Sequence, residues 1–208
     1  MNTAVADRDD ALSAAARPSA AGPPRPGILL DRDGTIIVDH GYVGSADRVD
    51  FIDGAAEAIA AFNRVGVPVA VVTNQAGVAR GLYGLDGVAE VHRHIAEHLA
   101  GYGARIDLFL YCPYHPDGVV EGFARTSEDR KPRPGMAKAA AAALNLDLTA
   151  SWVVGDRLED VGLAEAVGAS AVYLGTGDLG TGGCGGPRVW PFPSLAAAVP
   201  FLLERVTA

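Results

Sequence analysis

At 208 residues the chain is long enough for one domain with a proper core and short for two. A composition of 49% hydrophobic and 20% charged residues fits a globular fold. The formal net charge of −8 speaks against a nucleic-acid partner, because phosphate backbones demand a basic face. No apolar run is long enough to cross a membrane. The two cysteines, Cys112 and Cys184, lie far apart and fit free thiols in a reducing cytoplasm better than a secreted disulfide scaffold.

Residues 1–26 are rich in Ala and Pro and lack an apolar h-region, so they read as a disordered leader and not as a signal peptide. Residues 27–208 read as a single domain. Its first strand is the short apolar run Ile28–Leu30, which ends on Asp31-Arg32-Asp33-Gly34-Thr35. Asp53 is placed to cap a helix in which Ala55, Ile59 and Phe62 recur with helical spacing, and Gly66 ends it. Val67–Val72 is nearly all apolar and β-branched, as a central parallel strand requires. Further along, a helix is predicted over Val88–Gly101 and a strand over Ile106–Tyr111. Residues 112–130 form a long loop over the site, and Pro134 opens an Ala-rich helix to Leu144. Then come the strand Trp152–Val154, the helix Glu159–Val167 and the strand Ala171–Leu174. Residues 176–190 read as a Gly-rich loop before a last helix near Leu195–Arg205.

Alternating strands and helices of these lengths predict an α/β fold: a doubly wound, mainly parallel Rossmann-like sheet with no separate cap domain. In such sheets ligands bind beyond the carboxyl ends of the strands. The segments that follow the predicted strands are Asp31/Asp33, Thr73-Asn74-Gln75, Tyr111-Cys112 and Gly155-Asp156. All the chemically interesting side chains therefore fall on one rim.

Two carboxylates one residue apart at a strand end form a compact anionic site that binds a hard divalent cation and keeps one oxygen free to attack. Asp31 is the expected nucleophile, giving an aspartyl-phosphate, and Asp33 the general acid and base. Mg²⁺ is expected on Asp31, the backbone carbonyl of Asp33, and Asp156, since few protein ligands suit a cation that keeps its waters. Thr73 is expected to hold phosphoryl oxygens and Lys131 to neutralise charge, with Asp160 orienting the ammonium or shaping the metal's surroundings. His94 and His98 lie four apart on a helix but lack a carboxylate partner, so they read as a solvated face. No GxGxxG follows the first strand, which removes a nicotinamide-dependent oxidoreductase.

The segments Leu30-Asp31-Arg32-Asp33-Gly34-Thr35, Val72-Thr73-Asn74-Gln75, Arg130-Lys131-Pro132-Arg133-Pro134-Gly135 and Val154-Gly155-Asp156-Arg157-Leu158-Glu159-Asp160 resemble the four signature segments of the haloacid dehalogenase superfamily of phosphatases. The runs 38–43, 74–81 and 111–113 extend the resemblance to its capless branch, over about residues 27–175. That resemblance implies a phosphomonoesterase acting on a small phosphorylated sugar, most closely a heptose 1,7-bisphosphate cleaved at C7, with histidinol phosphate as the alternative. A phosphosugar-binding sensor is the non-enzymatic alternative. Asp39, His40, Gly41, Tyr42, Asn74, Gln75, Ala76, Arg130 and Arg157 are then the implied substrate contacts, with Arg130 suited to the second, unreacted phosphate.

The same resemblance carries a zinc-stapled loop built from a Cys-x-His and a Cys-x-Cys pair. Here those positions read Cys112-Pro113-Tyr114 and Ser127-Glu128-Asp129, with His115 one place late. At most one thiolate survives of the four N/S ligands a structural zinc wants, so no structural zinc is expected. The loop is then expected to be ordered by its own packing or by substrate. A cytoplasmic monomer completes the expectation.

Overall fold

The computed structural model describes residues 22–175 and 188–207. Residues 1–21, which hold most of the expected leader, and 176–187, which hold most of the Gly-rich stretch and Cys184, lie outside the described residues. In chain order the elements are β1 (Ile28–Leu30), α1 (Ala55–Arg64), β2 (Val69–Asn74), α2 (Ala76–Ala79), α3 (Leu85–Ala100), β3 (Leu108–Cys112), α4 (Gly135–Leu144), β4 (Trp152–Gly155), α5 (Leu158–Val167), β5 (Ser170–Leu174), β6 (Val189–Phe192) and α6 (Leu195–Val206). The strands form one sheet in the order β3-β2-β1-β4-β5-β6, with every pairing parallel.

Strand β1 is short and wholly buried between β2 and β4. Its side chains alternate across the sheet. Ile28 and Leu30 pack into the layer that holds α1, α3 and α6, and Leu29 packs into the layer of α4 and α5. Chain connections run outward from β1 in both directions, to β2 and β3 on one side and to β4, β5 and β6 on the other. The crevice at this reversal is where a doubly wound sheet binds its ligand.

The expected strands and helices between Ile28 and Leu174, and the last helix, are present with local corrections. The cap of α1 is Gly54, at φ 79° and without a side-chain cap bond, and not Asp53. Strand β2 starts at Val69 and extends through Thr73 and Asn74, which therefore sit on the ladder itself. Residues 189 and 190, expected as loop, belong to β6, which lies at the edge of the described sheet and tolerates Pro191 because no described strand pairs with its outer side. That strand is held by aromatic packing, with the Trp190 ring 5.0 Å from Trp152 and 5.5 Å from Phe201. His94 and His98 are half-buried and not simply solvated, with the His98 ring stacked 3.5 Å from Phe51. At the amino-terminal edge, Arg25 already exchanges backbone bonds with Asn145 and Asp147.

Candidate active site

Strand β1 ends where its backbone is still tied to β4: the Asp31 N–H donates to the Val154 carbonyl at 2.8 Å. This fixes the Asp31 side chain over the switch point, with only 5% of the residue exposed. Its Oδ1 accepts from its neighbour's amide, Arg32 N, at 2.8 Å and pairs with Lys131 Nζ at 2.8 Å. Among the described residues no donor reaches Asp31 Oδ2.

Lys131 reaches the site from the loop before α4. Asn74 at the end of β2 clamps its backbone, donating to the Lys131 carbonyl (3.2 Å) and accepting from its N–H (3.0 Å). The ammonium is buried between Asp31 and Asp160, whose Oδ1 lies 2.6 Å away. Burial alone would favour a neutral lysine, yet the two carboxylates outweigh it and push Lys131 above its usual range. Asp160 is spent on both sides, because its Oδ2 accepts the Arg157 N–H that opens α5 at 3.2 Å.

Asp33 is held differently. The Arg32 guanidinium, wholly buried, forks onto it with Nε to Oδ2 and Nη2 to Oδ1, both at 3.0 Å. The same Nη2 donates to the Val43 carbonyl at 2.8 Å and to Gln75 Oε1 at 3.0 Å. Gln75 Nε2 in turn donates to Asp33 Oδ2 and to Thr73 Oγ1, each at 2.9 Å, and Gln75 Oε1 accepts from the Tyr83 hydroxyl at 2.8 Å. Arg32 and Tyr83 have no place among the expected site residues. Strand alternation turns Arg32 away from the cleft, and no pattern in the sequence shows that it folds back onto its neighbour.

Asp156 follows β4 and faces Gly34. A Cβ on Gly34 would stand 2.2 Å from Asp156 Oδ2, and Gly34 has φ +80°, so only glycine lets these two segments close. Asp156 Oδ1 is buried without a hydrogen-bond partner. Burial and then the charge of Asp31 push its carboxyl up to about 6. Asp31, Asp156 and Asp160 each offer an oxygen within 4.8 Å of the others. An orphaned carboxylate oxygen and mutual acidic repulsion suit a hard divalent cation such as Mg²⁺. With Asp160 engaged by Lys131 and Arg157, Asp31 and Asp156 are the side chains left to hold it.

Asp31, Asp33 and Asp160 open on a cavity of about 300 Å³, while Asp156 is not among its lining residues. The cavity includes the expected Asp31, Asp33, Asp39, Gly41, Tyr42, Thr73, Asn74, Gln75, Ala76, Arg130, Lys131 and Arg157. It also includes Arg80, Tyr83, His115 and Glu159, which were not expected there. His40 is not among its lining residues; exposed, it sets Nε2 2.7 Å from Asp50 Oδ2. Arg48 pins the 40–42 turn by donating to the carbonyls of His40, Gly41 and Tyr42. Asp39 pairs with Arg157 across the cavity mouth. Burial would raise Asp39, but the Gly41 N–H and the Arg157 guanidinium hold it below the usual range.

The 113–129 loop is packed on its own residues. The Tyr114 and Phe123 rings lie 5.8 Å apart, and the Arg125 guanidinium sits 4.0 Å over Tyr114. The amides of Val119 and Val120 both donate to the Ala79 carbonyl at the end of α2, at 2.7 and 3.0 Å. Within and beside this loop, Cys112 is a buried thiol near the Tyr114 carbonyl, and Ser127 and Asp129 pair with each other.

A parallel sheet with acidic side chains from two strand ends and a buried lysine between carboxylates is the architecture of a phosphoryl-transfer hydrolase. Known proteins agree. A family model described as HAD-hydrolase-like matches residues 129–186. A D-glycero-beta-D-manno-heptose-1,7-bisphosphate 7-phosphatase of Yersinia pestis is 41% identical over 172 residues, covering 82% of this chain and 92% of that protein. A protein of the same name from Rhodopseudomonas palustris is 41% identical over 150 residues, covering 72% and 83%. The crystal structure of D,D-heptose 1.7-bisphosphate phosphatase from B. bronchiseptica, complexed with magnesium and phosphate, is 32% identical with TM-score 0.77, covering 86% of this chain and 98% of that one. The chain belongs to the haloacid dehalogenase-like hydrolases. Its reaction class is that of a phosphatase, a phosphoric monoester hydrolase.

Proposed function

We propose that this phosphatase removes the C7 phosphate of D-glycero-D-manno-heptose 1,7-bisphosphate through an aspartyl-phosphate on Asp31. The observation that carries the reading is the asymmetry of Asp31: Oδ1 is held by Lys131 and the Arg32 amide, and Oδ2 is left without a donor. A carboxylate fixed by one oxygen presents the other as a positioned nucleophile. Asp31 Oδ2 attacks phosphorus, the bond from phosphorus to the C7 oxygen breaks, and Asp33 donates a proton to the departing alkoxide. Asp33 then takes a proton from water, whose oxygen attacks phosphorus. The bond to Asp31 Oδ2 breaks and inorganic phosphate leaves.

Arg32 and Gln75 keep the Asp33 carboxyl at a fixed bearing for both proton transfers. Thr73 and the amides after β2 hold phosphoryl oxygens, and Lys131 neutralises charge beside Asp31. Asp31, the Asp33 carbonyl and Asp156 would hold Mg²⁺, which supplies positive charge where anion meets anion. Gly41, Tyr42, Ala76 and Arg157 shape the sugar end, and Arg130 grips the second phosphate. Asn74 and Gln75 support the reading differently from a direct contact, since their side chains are committed to Lys131 and to Asp33 and Thr73.

The test is phosphate release with Mg²⁺ from the heptose bisphosphate and from histidinol phosphate, for the wild type and Asp31→Asn. The wild type should prefer the bisphosphate, and Asp31→Asn should lose at least about a thousandfold in kcat. Equal rates for the two proteins would remove the nucleophile, and a preference for histidinol phosphate would remove the substrate.

A further inference from the structure

Four permanent cations line the cavity: Arg80, Arg130, Lys131 and Arg157. Two are spent, Lys131 on Asp31 and Asp160 and Arg157 on Asp39. Among the described residues, neither Arg80 nor Arg130 has an acidic partner. The sole hydrogen bond of the Arg130 side chain there is a long one, 3.4 Å to the Tyr114 carbonyl. Arg80 stands 6.0 Å over the Tyr42 ring, and its Nε is buried with no acceptor. In a chain of net charge −8, two unneutralised guanidinium groups in one cavity mark a place for an anion.

His115 completes the arrangement. The loop carrying it is fastened to the residue before Arg80: the Val119 and Val120 amides hold the Ala79 carbonyl, and a Cβ on Gly118 would stand 2.8 Å from the Ala79 Cβ. His115 Nδ1 accepts the Asp117 N–H at 3.1 Å, so in the neutral ring the proton resides on Nε2. His115 lines the same cavity as Arg80 and Arg130, and burial and then the charges of Arg130 and Arg80 hold it below its ordinary range. A neutral Nε2–H and two guanidinium groups without carboxylate partners thus line one cavity.

We propose that Arg80 and His115 join Arg130 as the subsite for the phosphate that is not cleaved. Arg80 donates through the outer nitrogens of a guanidinium that has no acidic partner among the described residues, and His115 through Nε2–H. The inference rests on the sugar-bisphosphate reading of the cavity. It makes the packed loop over residues 113–129 part of the substrate site. It also makes Arg80 a specificity-determining residue, since a monophosphate leaves its charge unanswered.

The experiment measures kcat/KM for the heptose 1,7-bisphosphate and for the heptose 7-phosphate, and takes their ratio. Wild type is compared with Arg80→Gln, Arg80→Lys, His115→Phe and His115→Gln. Turnover of the 7-phosphate reports that each variant is folded. Arg80→Gln should lower the ratio about 10- to 100-fold, mainly through KM for the bisphosphate, as expected for a charge-assisted bond lost. Arg80→Lys should recover part of it. His115→Phe should lower the ratio about threefold to tenfold, and His115→Gln should recover part. A wild-type ratio well above one that is unchanged in the variants, or equal losses on both substrates, would overturn the subsite and leave the bisphosphate reading standing. A wild-type ratio of one or less would overturn both.

Discussion

Lys131 Nζ lies 2.8 Å from Asp31 Oδ1 and shares its charge with Asp160 on the other side. One buried cation therefore serves two buried carboxylates. Replacing it with Met leaves both without a counter-charge, a loss of about 3 kcal/mol or more in stability at neutral pH. Lys131→Met should lower kcat/KM at least about a thousandfold. Asp160→Asn keeps the Lys131–Asp31 pair and should fall about tenfold. Denaturant midpoints together with initial rates check the order of the two variants.

Gly34→Ala attacks the closure between the β1 and β4 ends. The new methyl would collide with the Asp156 carboxylate and force a strained φ. Mg²⁺ affinity, measured by titration calorimetry, should weaken at least about tenfold. Unchanged affinity would place the cation elsewhere.

Asp156 gives a pH dependence of definite sign. Burial and then the charge of Asp31 raise the Asp156 carboxyl to about 6 from 3.8. The folded chain therefore keeps this proton where the unfolded chain has lost it, and the group's contribution to stability falls as pH rises between those values. A bound cation needs the ionised form, so Mg²⁺ affinity should drop as pH falls through about 6. Thermal unfolding with EDTA and with millimolar Mg²⁺ should diverge most above that pH.

His92 acts on the acid side. It is buried on α3, stacked 4.7 Å from Phe109 with Nε2 unpartnered, and burial followed by the charge of Arg32 pushes it down to about 3 from 6.5. Here the unfolded chain takes the proton first, so stability is lost as pH falls from the upper value towards the lower. Between pH 6 and pH 4 the loss is about 2 kcal/mol. His92→Leu should flatten that limb by the same amount, read as the change in urea midpoint with pH.

The sheet and the anchor residues were legible because they obey short-range rules. Val69–Val72 is apolar on both faces, and Asp31, Thr73 and Asp156 each follow such a run. Strand β6 was not legible, since a short segment with Pro191 looks like loop until Trp152 and Phe201 supply its packing. Within the site, the residues that touch each other across long separations escaped. Arg32 reaching Gln75, Asn74 fastening Lys131, and the 113–129 loop bringing His115 beside α2 depend on tertiary closeness that no local pattern encodes.

Strand β1 is only three residues long and has parallel neighbours on both sides. One neighbour, β2, is the next strand in the chain, but the other, β4, comes only after β2 and β3, so the reacting centre is complete only when that distant crossover has closed. Turnover should consequently be among the last properties regained on refolding, after the helical signal has returned. A nick in the chain between Lys131 and Asp156 should silence the enzyme unless both pieces stay associated.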